Sequence, residues 1–178
     1  MKFLSLSATS TQRRSPIAVK KQYLPTYKGC MVCGKKEVNQ NTLGLRFRIT
    51  ENGVETPFVP DKPHQGYENI THGGMITAVL DETIGWAVAV VRKRFFVTGE
   101  LTVRFLKYLP IGKPVIVRGR ALEHRSRYSI AEGEIVDDQG VIYATAQGKF
   151  ILMQDAQARA VDAYLTYQED DLHVLDEE

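Results

Sequence analysis

Residues Met75–Val91 are apolar around nearly the whole circumference of a helical wheel, with twelve apolar side chains in seventeen positions. A helix with no polar face has to be buried on every side. The segments around it have a different period. Leu43–Thr50 and Val54–Val59 alternate apolar and polar residues, and so do Val97–Tyr108, Pro114–Leu122, Tyr128–Val136 and Val141–Leu152. That alternation marks strands with one buried face. Asn52-Gly53 predicts a hairpin between the first two, Leu109–Gly112 and Asp137–Gly140 read as turns, and the last four strands are expected to form an antiparallel meander. Gln154–Tyr164 reads as a short terminal helix. Two strands, one buried helix and four strands can satisfy that helix in one way, by a sheet curled around it. The expected class is α+β, a curved antiparallel sheet wrapped around one long central helix.

The 178 residues suit one domain, and 43% apolar content can fill its core without staples. No run reaches the ~18–20 unbroken apolar residues of a membrane span, so no span is expected. The net charge of +2 hides a split: the first 36 residues hold eight Lys/Arg and no acid. The other 142 then carry 15 basic and 21 acidic residues, a net of −6. A body of that sign argues against a nucleic-acid surface, which needs a basic face. The expected organisation is a basic tail over 1–27, one domain over 28–165 and an acidic tail over 166–178. Residues 1–22 fit either a disordered tail or a transit peptide. The expected location is cytoplasmic in the first case and organellar in the second.

The segment Asn69-Ile70-Thr71-His72-Gly73-Gly74 enters the apolar helix, and Asp81-Glu82 lies in its middle. A Thr-x-Glu-Leu-x-Val-x-Phe strand follows, carrying Thr98, Glu100, Leu101, Val103 and Phe105. His-Gly-Gly, six residues, Asp and then that strand resembles the hotdog-fold acyl-CoA thioesterases, in their phenylacetate-pathway and small human-type branch. Cys30–Gly34 with Asn41 and Leu43–Phe47 is similar to the entry segment of many uncharacterised members. The resemblance covers about residues 28–152. It implies hydrolysis of an acyl-CoA thioester to free acid and CoA at a dimer-interface site, in a homodimer or dimer of dimers. It assigns Asp81 as the catalytic carboxylate, nucleophile or general base, and Thr98 as the residue that orients water. Two other functions stay open: a non-catalytic acyl-CoA-binding module and a hotdog-fold hydratase or dehydratase. Relatives of the small human type carry an Asn where this chain has Gly66, and Gln65 or Asn69 stands close enough to substitute for it.

The residues make physical sense on their own. First-turn N–H groups lack intrahelical partners and sit at the positive end of the helix dipole. Gly73 and Gly74 let a ligand approach them closely, which favours the oxyanion of an attacked thioester. The same pair also fits a plain loop-to-helix turn. Asp81 interrupts an apolar helix where a charge is costly to bury, whereas Glu82 reads as the solvent-facing neighbour. Gly74 and Asp81 are separated by ~10 Å of helical rise, and attack needs atoms ~3–3.5 Å apart. If both serve one carbonyl, Asp81 comes from a second chain.

His72 is expected to hold its loop through a ring N–H, and His64 to lie on the loop surface. Arg118, Arg120, Arg125 and Arg127 cluster near one turn and are candidates for the CoA phosphates; a solvated sheet face is the other reading. Cys30 and Cys33 supply half of a four-ligand zinc set, and the chain lacks the βαβ pattern of a thioredoxin-like redox site. Two free thiols in a structural turn are expected, with no metal and no organic cofactor.

Overall fold

The structure, a computed structural model, describes residues 22–175. The expectation of a disordered tail or transit peptide over 1–22 therefore falls almost wholly outside the described residues. A short strand β1 (Thr26–Tyr27) leads to the hairpin β2 (Arg48–Thr50) and β3 (Gly53–Phe58). A single 3-10 turn (Lys62–His64) and a small ribbon of β4 (Gln65–Tyr67) and β5 (Ile70–Thr71) precede helix α1 (Gly73–Arg92). Strands β6 (Phe96–Phe105), β7 (Val115–His124), β8 (Tyr128–Val136) and β9 (Ile142–Leu152) follow, then helix α2 (Asp155–Tyr164) and β10 (Leu165–Thr166).

The large sheet is antiparallel, in the order β2-β3-β7-β8-β9-β6. α1 packs across it, against β3 and β6 to β9. This is the hotdog arrangement. α1 is long and apolar enough by length and composition to cross a membrane. Ile76, Val79, Leu80, Ile84 and Val88 are nonetheless at most 3% exposed, so it is the core helix of the fold.

Helix and sheet approach most closely where the sheet lacks side chains. A Cβ on Gly119 would stand 2.9 Å from the Thr83 carbonyl oxygen, and one on Gly133 would stand 2.5 Å from Ile84 Cγ2. Gly119 and Gly133 are register partners on β7 and β8. Together they form a saddle under the middle of α1.

Three expectations need correction. β6 does not run into β7 as a meander neighbour. It crosses to the far edge and pairs with β9, which leaves β7 to bridge the two halves of the sheet. β2 is shorter than the alternating run from Leu43 because the Leu43 and Leu45 N–H groups bond to the Met31 and Val32 carbonyls of the entry loop, at 2.8 and 2.9 Å, instead of to β3. The tails expected over 1–27 and 166–178 also begin and end elsewhere. Leu24 and Val174 are fully buried, β1 pairs with β10, and Asp171 accepts from Arg46 at 2.6 Å. Parts of 22–27 and 166–175 therefore pack on the body, and Asp171 in the acidic run is the partner of the half-buried Arg46.

Candidate active site

Asp81 sits mid-way along α1, half-buried, and faces β6. The Thr98 hydroxyl donates to its Oδ1 at 2.7 Å. The pairing register of β6 on β9 shifts between Thr98 and Glu100, with Gly99 as the extra residue. Such a bulge re-aims a side chain locally, and here the re-aimed side chain is the one that meets Asp81. Burial raises the Asp81 carboxyl above its ordinary range, and the Thr98 hydrogen bond partly opposes it. Both residues line a cavity of about 470 Å³ whose walls include Trp86, Phe95, Phe96 and Phe150, with α2 contributing Val161. A largely apolar cavity with the Asp81–Thr98 pair on its wall can take an apolar group and present a base or nucleophile to it.

Glu82 departs from expectation. It does not face solvent. Cys30 Sγ and Glu82 Oε2 share a hydrogen bond at 3.0 Å, and the Trp86 indole N–H donates to Glu82 Oε1 at 3.4 Å. Burial and the adjacent Cys30 push the Glu82 carboxyl up to about 8. Hydrogen bonding from Cys33 pulls the Cys30 thiol down to about 5 against its burial, helped by Glu82 and by the N–H groups of Cys33 and Val32. Cys33 moves the opposite way, upward, through Cys30 and burial. These groups form another wall of the same cavity. One signal in the sequence pointed to it: Glu82 and Trp86 are four residues apart, hence neighbours on one helix face.

The glycine pair lies at the start of α1, away from this cavity. His72 is the N-cap, and its ring acts opposite to expectation: Nδ1 accepts from the Gly74 N–H at 2.9 Å. The Gly74 amide is thus already engaged, while the Gly73 N–H makes no hydrogen bond among the described residues. Phe105 of β6 lies over Gly73, 3.3 Å from where a Cβ would stand. Gly66 abuts His72, leaving 3.0 Å to the ring for any Cβ, which accounts for the missing side chain there. Gln65 and Asn69 are exposed on the approach to the helix, and Asn69 is left-handed with φ +58°. His64 is half-buried, and its Nδ1 accepts from Asp61 N–H at 2.9 Å.

Of the four arginines, Arg118 and Arg120 line one groove together with Arg104, and Arg125 and Arg127 are not part of its lining. Arg118 lies between Glu55 and Glu134, at 3.6 and 3.8 Å. Arg120 pairs with its cross-strand partner Glu132, at 2.6 Å through Nε, and Arg125 lies 3.5 Å from Glu123. Arg127 is exposed. Arg118 and Arg120 alternate with the buried Val117 and Gly119, so they occupy the sheet face turned away from α1.

Residues 68–144 match the Thioesterase superfamily. No curated protein matches the sequence. Solved structures share the fold. A thioesterase superfamily protein superposes with a TM-score of 0.63 at 20% identity, over 76% of this chain and 72% of its own. The E. coli PaaI protein from the phenylacetic acid degradation operon gives 0.58 at 18%, over 63% and 81%. A hypothetical thioesterase from Streptococcus pneumoniae, solved with coenzyme A, gives 0.55 at 15%, over 59% and 81%.

Proposed function

We propose that this chain, whose residues 68–144 match the thioesterase superfamily and whose fold is the hotdog of its solved neighbours, is a member that hydrolyses an acyl-CoA thioester to the free acid and CoA at a site shared between two subunits. The observation that carries the reading is the Asp81–Thr98 pair at 2.7 Å within an apolar cavity. The acyl group occupies that cavity. Asp81 attacks the carbonyl or activates a water that Thr98 positions. The exposed start of α1, through the Gly73 amide, stabilises the oxyanion. The coenzyme A held by the Streptococcus pneumoniae protein supports a CoA ester as the substrate class.

Helix geometry supports shared ownership of the site, if the first-turn amides and Asp81 act on one thioester. Asp81 lies seven residues along α1 from Gly74, ~10 Å of rise, so a carbonyl at the start of α1 meets the carboxylate of another chain. The exposed edge of the sheet supplies the contact. β6 has β9 on one side only, and Val97, Phe105 and Leu106 are each about half exposed along or just beyond it. An edge strand of ten residues with exposed apolar side chains is a template for pairing with a second copy.

A hydratase would need histidine and carboxylate acting together at one centre. His72 instead uses its ring to cap α1, far along the helix from Asp81. The experiment is thiol release over a panel of acyl-CoAs, comparing wild type with Asp81→Asn. Loss of acid–base or nucleophilic function should lower turnover by ~10²-fold or more with the fold kept. A panel on which the wild type binds acyl-CoA and releases no thiol would establish the non-catalytic binding module instead.

A further inference from the structure

Cys30 and Cys33 do more than occupy a turn. The loop Cys30-Met31-Val32-Cys33-Gly34 folds so that backbone N–H groups point at sulfur. Val32 N–H and Cys33 N–H reach Cys30 Sγ at 3.2 and 3.5 Å, and Tyr27 N–H reaches Cys33 Sγ at 3.4 Å. The loop closes through Gly34 N–H to the Cys30 carbonyl oxygen at 3.0 Å, and a Cβ on Gly34 would fall 2.2 Å from that oxygen. Only glycine permits so tight a closure. The result is a small knuckle that presents two sulfurs together, each already accepting the N–H bonds that suit a thiolate.

The knuckle faces a third donor. Glu82, from the middle of α1, brings a carboxylate oxygen to the two sulfurs, and the three ligand atoms lie within 4.8 Å of one another. Donors ~2.0–2.3 Å from a tetrahedral ion stand ~3.3–3.8 Å apart, so the cluster needs only small side-chain rotations to close on one. The Glu82 oxygen turned away from the sulfurs accepts from the Trp86 N–H at 3.4 Å. Outer hydrogen bonds of this kind orient metal-binding carboxylates. A bound divalent cation would supply the counter-charge that two thiolates and a carboxylate need at an apolar wall, with their protons released on binding. Two sulfurs and one oxygen form a donor set that selects zinc over magnesium or calcium. All three donors line the cavity that also holds Asp81, so the cavity can supply the fourth ligand.

We infer that Cys30, Cys33 and Glu82 bind one zinc-class divalent cation, tying the entry loop to the central helix and leaving one coordination position on the acyl cavity. This inference goes beyond the thioesterase reading, and its test needs no substrate. The full chain, without a polyhistidine tag, is reduced, stripped with chelator and titrated with Co2+ as a spectroscopic probe. The expected result is one equivalent bound, a thiolate-to-cobalt charge-transfer band, the intense visible bands of a four-coordinate site, and stoichiometric displacement by Zn2+. Cys30→Ser combined with Cys33→Ser should abolish the charge-transfer band. Glu82→Gln keeps size and shape; it should retain that band while weakening Co2+ at least about tenfold and altering the visible bands. Should the double variant fail to fold, by circular dichroism, wild type and Glu82→Gln decide the matter. A folded, reduced wild type without a thiolate–cobalt band overturns the site. So does Glu82→Gln binding Co2+ with unchanged affinity and spectrum. Either result leaves the thiol-release assay free to succeed or fail on its own.

Discussion

Asp81 and Glu82 are adjacent carboxylates on one helix, and about 100° of helical rotation gives them different chemistry. Glu82 turns toward two sulfurs and an indole N–H. Asp81 has Thr98 as its hydrogen-bond partner and an apolar cavity beside it. Burial raises the Asp81 carboxyl, and the Thr98 hydroxyl lowers it by bonding to the charged form. A base or nucleophile must be ionised, so the acid limb of the pH–rate profile should report this group. Removing the hydroxyl leaves burial unopposed and raises the group further. Thr98→Val should therefore move the acid limb to higher pH and depress turnover most at the acid end. A profile that keeps its shape and only loses height would assign Thr98 to positioning water without tuning Asp81. The residue scale was half legible in the sequence. Asp81 stood out because a charge in an apolar helix is costly, whereas Thr98 was singled out through the family resemblance, and the structure places the two side chains in contact. The meeting of Glu82 with the cysteines was hidden: its spacing to Trp86 marks a shared helix face, but Cys30 comes from a loop 52 residues away in sequence.

At the scale of elements, α1 and the sheet meet over glycine. A methyl on Gly119 would press on backbone atoms of Thr83 and Ile84, which cannot swing aside as a side-chain tip can. Gly119→Ala should destabilise the fold by ~1–3 kcal/mol, the range for overpacking a well-filled core, read by denaturant unfolding. The β8–β9 connection makes an electrostatic counterpart. Asp137 accepts from the N–H groups of Gln139 and Val141 and from the Tyr143 hydroxyl, and Lys113 stands 3.0 Å away. Burial alone would raise its carboxyl. The Val141 N–H, Lys113, the Gln139 N–H and Tyr143 together outweigh burial and hold it at about 2. A group lowered by folding stabilises the native state above its unfolded range and loses that effect as pH falls through the folded value. The melting temperature of Asp137→Asn should therefore lie below wild type at neutral pH, with the gap closing between pH ~4 and ~2. A gap independent of pH would make the effect one of shape alone. The elements themselves were legible from period and turn chemistry, since α1 and β6 to β9 fall close to their expected bounds. Strand order was not. Alternation reports which face is buried and says nothing of which edge a strand joins, so the crossing of β6 to β9 needed the fold.

The whole molecule adds what neither scale contains: the proposed site draws on the first turn of α1 and on a carboxylate at its middle, seven residues further on. The ends of the domain were misplaced in sequence for a related reason. Charge marked the run after Gln168 as solvated, yet Asp171 is buried against Arg46, a contact spanning 125 positions. Long-range partners also decide the proposed site, and mixing subunits tests it directly. Asp81→Ala removes the carboxylate. Gly74→Val places a branched side chain 2.9 Å from the His72 ring, which can rotate away, and obstructs the approach to the first-turn amides. Each variant alone should be inactive while keeping its circular dichroism spectrum. In a two-fold dimer with sites built from both chains, a mixed pair puts both lesions in one site and leaves the other whole. Random exchange at equal ratio makes about half the dimers mixed, each with one working site of two, so activity should return to about a quarter of wild type. Self-mixtures of either variant must stay inactive. Recovery would also require that the β6 edge pairs subunits, so a charge placed there, Val97→Lys, should abolish rescue together with dimerisation in sedimentation. If labelled subunits exchange and no activity returns, the carboxylate and the amides do not share a thioester, and Asp81 acts within its own chain on a carbonyl held beside Thr98.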